Sequence, residues 1–197
     1  MATRFSMLHL INAALLAQGY ERVVENDGSE EWMILSQNWP QLVEAEIEDA
    51  NYQFTMEEAT TETRIAGSFG HDDAYLITAD ALHVRNVWVV ESGGRYEIDW
   101  VQSGDYVHVN YADGITYEYA ASTEVATWSA LFSKGIQCLL EAIMLRVREE
   151  YVSAREMEKT GSDYLQRART KSSASRSKQP ALKRSSKSTV SKRLRRG

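Results

Sequence analysis

The chain has 197 residues, 43% of them apolar, one cysteine, and 22 Lys+Arg against 28 Asp+Glu for a net charge of −6. This length suits one ordinary domain with an appendage and can bury a real core. The lone thiol, Cys138, excludes a disulfide framework and any multi-cysteine metal site, and the lack of a long apolar run excludes a transmembrane span.

From the start of the chain, Met7, Leu10, Ile11, Ala14 and Leu15 recur at helical spacing. With Ser6 as N-cap and Gly19 as stop, they predict a helix over about 6–18. Arg4 is the only Lys or Arg in this stretch and no clean cleavage site follows, so a soluble cytoplasmic protein is expected rather than a secreted one. Asn26-Asp27-Gly28 predicts a turn. Ser29 then caps a second helix over about 29–54, with Glu30 and Glu31 favourably placed at its N-terminal dipole. Its stripe is Trp32, Leu35, Trp39, Leu42, Val43, Ile47, Ala50 and Phe54, and Pro40 inside it predicts a kink or break near Asn38.

Near Thr55 the period changes. Thr60, Thr61, Thr63 and Ile65 favour strand, and a glycine-punctuated loop ends at His71-Asp72-Asp73. Short Val-, Tyr- and Trp-rich runs follow at His83–Val90, Tyr96–Val101, Val107–Asn110 and Ile115–Ala120, separated by Gly93-Gly94, Gly104-Asp105 and Asp113-Gly114. A small antiparallel β unit over about 55–121, connected as a meander, is expected, with Asp113-Gly114 its cleanest hairpin signal. Trp88, Trp100, Tyr117 and Tyr119 are its candidate core or interface aromatics.

After Ser122 the helical period returns through Trp128, Leu131, Phe132, Ile136, Leu139, Leu140, Ile143, Val147 and Tyr151. This predicts one long helix over about 127–157, ended by Gly161, then a last helix over 162–171 capped by Ser162 and carrying Tyr164, Leu165 and Ala168. Leu15, Trp39, Trp128, Phe132, Ile136, Leu139 and Ile143 are the expected bundle core. No internal repeat is present. The expected class is α+β: about four helices in a bundle with an inserted β unit, forming a body over 1–171, followed by a basic arm over 172–197.

Charge sets the two parts against each other. Arg167, Arg169, Lys171, Arg176, Lys178, Lys183, Arg184, Lys187, Lys192, Arg193, Arg195 and Arg196 are twelve of the 22 basic residues, and the last acidic residue is Asp163. Residues 1–166 therefore hold 10 basic groups against 28 acidic ones, a net of −18, ahead of a tail of +12. Beyond Ser172 the composition collapses to Ser, Lys and Arg, which cannot bury enough apolar surface to order alone; a partner surface is needed.

Catalysis finds no support. His9, His71, His83 and His108 form no metal-ligating pair at helical spacing, and His71-Asp72-Asp73 reads as a polar loop rather than a cation site. Cys138 lies beside an apolar helical stripe and reads as core. No phosphate-binding glycine motif and no nucleophile elbow occurs. The carboxylates of Glu44, Glu46, Glu48, Asp49, Glu57, Glu58 and Glu62 read as a solvated face, and no cofactor or metal is expected. The β-unit aromatics could form a stacking platform for single-stranded nucleic acid. No basic residue lies between Glu97 and Glu124, however, so core or a protein interface is the better reading. The basic tail suits either of two roles, binding a nucleic acid or docking on an acidic protein groove.

The order of elements resembles the head-to-tail adaptor (connector) proteins of tailed phages, the group that includes the tail tubular protein A of short-tailed phages. Four stretches carry the resemblance: Leu10–Gly19 in the first helix; the aromatic pair in Asn51-Tyr52-Gln53-Phe54; Phe69–Val87 entering the β unit; and Ile115–Tyr119 followed by Trp128–Phe132, the long helix, and Tyr164-Leu165-Gln166-Arg167-Ala168-Arg169. It covers about residues 8–175. Departures are Thr78-Ala79, where relatives often carry a proline, and the long basic tail. The resemblance implies a non-enzymatic virion protein made in the host cytoplasm. It would form a dodecameric ring of neighbouring copies between the portal and the next tail component, extending the DNA channel without sequence-specific contact and without a membrane. The twelve basic residues would then be a portal-docking arm.

Overall fold

The structure, a computed structural model, describes residues 5–91, 94–175 and 182–183. It is α+β, with four helices and two small sheets among the described residues, and it divides into two compact units. One is helical, built from the described parts of 1–56 and 120–177; the other is the β unit, built from the described parts of 57–119 and 178–197.

In the helical unit, α1 (Met7–Ala17) starts where the Ser6 hydroxyl accepts the His9 N–H. It ends in a Schellman turn: Gly19, at φ +78°, donates to the Leu16 carbonyl and Tyr20 donates to that of Leu15. Asn12 pins the following linker to α1 by exchanging two hydrogen bonds with the Val23 backbone. Asp27 accepts from Val24 and Ser29, and Ser29 caps α2 (Glu30–Asp49) through the Trp32 N–H.

Of the kink or break expected near Asn38, no break occurs: α2 runs on through Pro40. Pro40 is itself exposed, and Asn38 next to it donates its side-chain amide to the Ile34 carbonyl. The helix also stops at Asp49 rather than 54. Ala50 turns extended, and a 3-10 turn at Gln53–Thr55 brings Tyr52 and Phe54 against Phe132, with ring centroids 4.7 and 5.1 Å away.

The expected long helix over 127–157 is two helices. After a 3-10 turn at Val125–Thr127, α3 (Ala130–Val147) is capped by Ser129, and α4 (Tyr151–Ser175) packs back along it. The reversal is a second Schellman turn, with Glu149 at φ +62° donating to Arg146 and Glu150 donating to Leu145. No glycine announces it, so the apolar period reads straight through; Val147 and Tyr151, placed on the core stripe by that reading, are exposed. Gly161 does not end a helix, nor does Ser162 start one. Gly161 lies inside α4, facing Gly135 of α3, and the helix runs on to Ser175. The core holds Leu15, Trp128, Phe132 and Ile136, whereas Trp39, Leu139 and Ile143 are half-buried, with Trp39 stacked on Trp128 at 5.6 Å.

The β unit is not a meander. One sheet has the order β1 (Met56–Thr61), β8 (Ile115–Ala121), β4 (Ala81–Glu91), β5 (Gly94–Glu97), β9 (Leu182–Lys183). The other runs β2 (Arg64–Ala66), β3 (Asp73–Leu76), β7 (Tyr106–Val109), β6 (Trp100–Ser103). The expected strand Tyr96–Val101 is divided between β5 and β6 in different sheets, and β3 begins at the end of the expected loop. Gly104-Asp105 does form a hairpin, between paired Ser103 and Tyr106. Asp113-Gly114 instead carries the chain from one sheet to the other. The reason is burial: β8 is buried or half-buried along its whole length, so it needs neighbours on both edges and takes β1 and β4.

The α3–α4 contact depends on its glycines. A Cβ on Gly135 would lie 2.6 Å from Leu165 Cγ, and one on Gly161 would lie 3.0 Å from Leu139 Cδ2. Gly135→Ala should therefore destabilise the protein by about 1–2 kcal/mol despite the better helix propensity of alanine. Glu149→Gly should stabilise it by about 0.5–1 kcal/mol by relieving a left-handed non-glycine residue. Urea denaturation with unchanged m-value checks both signs.

Candidate functional site at the root of the basic arm

Three residues assigned to the arm, Arg167, Arg169 and Lys171, belong to α4. Arg167 and Lys171 point to solvent, with Arg167 lying over the Tyr164 ring at 5.6 Å. Arg169 is held. Its Nη2 and Nε lie 2.7 and 3.1 Å from Glu46 Oε1, its Nη1 lies 2.7 Å from Asp49 Oδ2, and its Nε lies 3.3 Å from the Tyr52 hydroxyl. Tyr52 in turn donates a short hydrogen bond to the same Glu46 oxygen. One turn further, the Ser172 hydroxyl accepts the Gln53 N–H. The last turns of α4 are thus fastened to the end of α2 and to the 3-10 turn behind it.

The electrostatics follow from this packing. Burial raises the Tyr52 phenol well above the usual tyrosine range, and its hydrogen bond to Glu46 adds to the rise. Burial alone would lower Arg169; its bonds to Glu46 and Tyr52 outweigh that and hold the guanidinium charged even more firmly than usual. Sequence reasoning missed this clamp by counting Arg169 as a free tail charge. The available signal was the buried series Ala154, Gly161, Leu165 and Ala168, which continues one helical face across the supposed stop.

Of the remaining basic residues, Lys183 lies in β9, whereas Arg176, Lys178, Arg184, Lys187, Lys192, Arg193, Arg195 and Arg196 lie outside the described residues. The expectation that the arm orders only on a partner concerns these same residues and lies outside the described ones.

In the β unit, Trp88 is buried beneath the Arg95 guanidinium at 5.0 Å, and Arg95 is bidentate to Glu58 at 2.8 and 2.9 Å. Tyr117 and Tyr119 are buried, while Trp100 is half-buried opposite Val109. The Tyr117 hydroxyl accepts the Thr78 N–H, and Tyr119 donates to Glu57 at 3.2 Å. Burial raises both phenols, and Asp80 raises them further. With their faces and hydroxyls so engaged, Tyr117 and Tyr119 offer no free stacking surface.

Cys138 is buried, which pushes its thiol pKa up. His71 Nδ1 is buried without a hydrogen-bond partner, yet among the described residues no three His, Cys, Asp or Glu side chains converge to hold a metal ion. No described helix is long and apolar enough to cross a membrane. No protein-family model and no curated protein sequence matches this chain.

Removing the clamp leaves Glu46 half-buried without its counter-charge, so Arg169→Ala should lower stability by about 2–3 kcal/mol. Hydrogen exchange should then rise first in the amides of α4 after Gly161. A second expectation concerns alkaline pH. Native Tyr52 and Tyr119 keep their protons where the unfolded phenols lose theirs, so the native state binds more protons and stability falls as pH rises above about 10. Urea unfolding between neutral pH and pH ~11 should show this fall, and the double variant Tyr52→Phe, Tyr119→Phe should flatten it.

Proposed function

We propose that this protein is a non-enzymatic ring subunit of a tailed-phage virion, an adaptor between portal and tail that continues the DNA channel and docks to the portal through its basic C-terminal arm. The observation that carries this reading is the change of charge at the end of a clamped helix. α4 is 25 residues long, roughly 37 Å, and is fastened near its end by Arg169 and Ser172. Every charged residue after Ser175 is basic, nine in all. A rigid stem that delivers a concentrated positive segment suits docking into an acidic cleft of a partner, with the ordering entropy supplied on binding.

The rest of the chain suits the same role. Residues 1–166, at −18, would repel DNA phosphates, as a channel wall must if the genome is to slide through without sticking. The order helix–helix–β–helix–helix agrees with what the resemblance to connector proteins implies. On this reading the protein needs no cofactor, is made in the host cytoplasm and resides in the virion at the head–tail junction. Its partners are the portal protein, neighbouring copies in the ring, the next tail component and passing DNA. Self-repulsion among copies at −18 keeps the ring from closing before the portal is present, an expectation checked by sedimentation of the isolated protein at moderate salt.

The decisive test measures binding to purified portal rings of the cognate phage. It uses the full-length chain and a full-length variant whose nine basic residues after Ser175 are replaced by glutamine, with and without duplex DNA competitor. The adaptor reading expects affinity to fall roughly tenfold or more in the variant and to survive the competitor. An arm that binds DNA with a steep salt dependence and leaves portal binding unchanged would instead make this a nucleic-acid-binding virion or host protein.

A further inference from the structure

The sheet β1–β8–β4–β5–β9 ends on a strand that the basic arm itself supplies. β4 pairs with one edge of β5, and β9 takes the other in parallel, with Tyr96 beside Leu182 and Glu97 beside Lys183. Little else in the arm suits a sheet. After Ser175, Ala181-Leu182 is the only pair of adjacent apolar residues in a run dominated by Ser, Lys and Arg. Pro180 stands just ahead of it and has no N–H to offer a helix. The strand begins on the leucine of that pair.

The register is matched by residue type in both rows. Val89, Tyr96 and Leu182 share one row across β4, β5 and β9, and Val89 is fully buried. The next row holds Trp88, Glu97 and Lys183, so its one anion has its one cation as neighbour. A slip of one residue would set Leu182 beside Arg95 or Glu97 and take it out of the apolar row.

We infer that β9 is a latch: it holds the basic arm on the β unit in the free protein, and a partner that takes the whole arm must first strip it from β5. The inference rests on the reading of the arm as the docking element and adds its regulation. Of the nine basic residues after Ser175, Arg176 and Lys178 precede the strand, Lys183 lies in it, and six follow. An acidic cleft that binds the arm as one extended segment therefore needs Lys183 out of its place beside Glu97. Cleft and β5 compete for the same residues, and the cleft's affinity scales with the fraction of arms that are free. The latch is short enough to open. Two paired residues make few ladder hydrogen bonds, set against the entropy of ordering the segment that carries them.

The test uses the full-length double variant Tyr96→Cys, Leu182→Cys. Neighbouring strands lie about 4.8 Å apart, within the span of a disulfide, and buried Cys138 stays out of the exchange. Oxidation should join the two cysteines within the monomer, in a yield independent of protein concentration. The oxidised chain should bind purified portal rings of the cognate phage roughly tenfold more weakly than the same chain reduced. Leu182→Gly, which keeps all nine charges but removes the strand's apolar anchor, should bind roughly fivefold more tightly than the unaltered chain.

No disulfide within the monomer, a disulfide only between molecules, equal portal binding by oxidised and reduced chains, or unchanged affinity of Leu182→Gly would each overturn the latch. Duplex DNA at low salt serves as a second polyanion in the same comparison. Absence of portal binding in every form counts against the adaptor reading alone. The latch is then decided on DNA: it stands if oxidation weakens that complex and falls if oxidation leaves it unchanged.

Discussion

The course of the helical unit rests on how closely α4 can lie against α3. Two glycines, Gly135 and Gly161, face each other across that contact, so backbone meets backbone where side chains would otherwise hold the helices apart. Close approach seats Leu165 and Ala168 in the core and carries Arg169 to Glu46 and Asp49 and Ser172 to Gln53. A wider spacing would lengthen those polar contacts together, because they sit on one rigid helix. The clamp at the arm's root thus depends on two missing methyl groups, one on α3 and one on α4, the latter about 12 Å and roughly two turns before Arg169.

That geometry also accounts for the reversal that precedes it. Glu149 adopts a left-handed conformation at a cost of about 1–2 kcal/mol. The return is the burial of Ala154, Leu165 and Ala168 against α3, which on area grounds exceeds that cost. Tertiary packing, not local preference, therefore stops α3, and this is why the apolar period ran across the break without a signal. The same reasoning explains α2. Pro40 is a strong local breaker, yet it lies on an exposed face and removes only one helical hydrogen bond, and the buried side of the helix at Leu35, Val43 and Ile47 holds the element together.

What was legible in the sequence was local chemistry. Ser6, Ser29 and the Asn26-Asp27-Gly28 turn act within three residues of themselves, and each does what its type dictates. The α+β class and the span of the β insertion followed from the change of period. The sheet order did not, because pairing is non-local: β8 chooses β1 and β4 by burial on both faces, and the strong Asp113-Gly114 turn is reused as a crossing between sheets. Arg169 was misplaced for a related reason. A charge count along the chain assigns it to the tail, and only the three-dimensional neighbourhood of Glu46 makes it part of the body.

Among the described residues three non-glycine residues hold positive φ, and comparing them separates structure from function. Asn26 belongs to a residue type that tolerates the conformation, and its Oδ1 accepts the Trp32 indole N–H at 3.3 Å. Glu149 is forced by the helix reversal, whose packing outweighs the strain. Phe69 has neither excuse: asparagine would suit its turn better, and most of its ring faces solvent, so the His108 contact recovers little of the burial a phenylalanine can give. A fold selected only for stability gains little from an aromatic side chain in so strained a turn. The chain has also gathered twelve of its 22 cations into its last thirty-one residues, behind a stretch of net −18. Opposite charge so separated along one polypeptide is held apart by hydration and counterions, and docking on a surface of opposite sign would release those counterions.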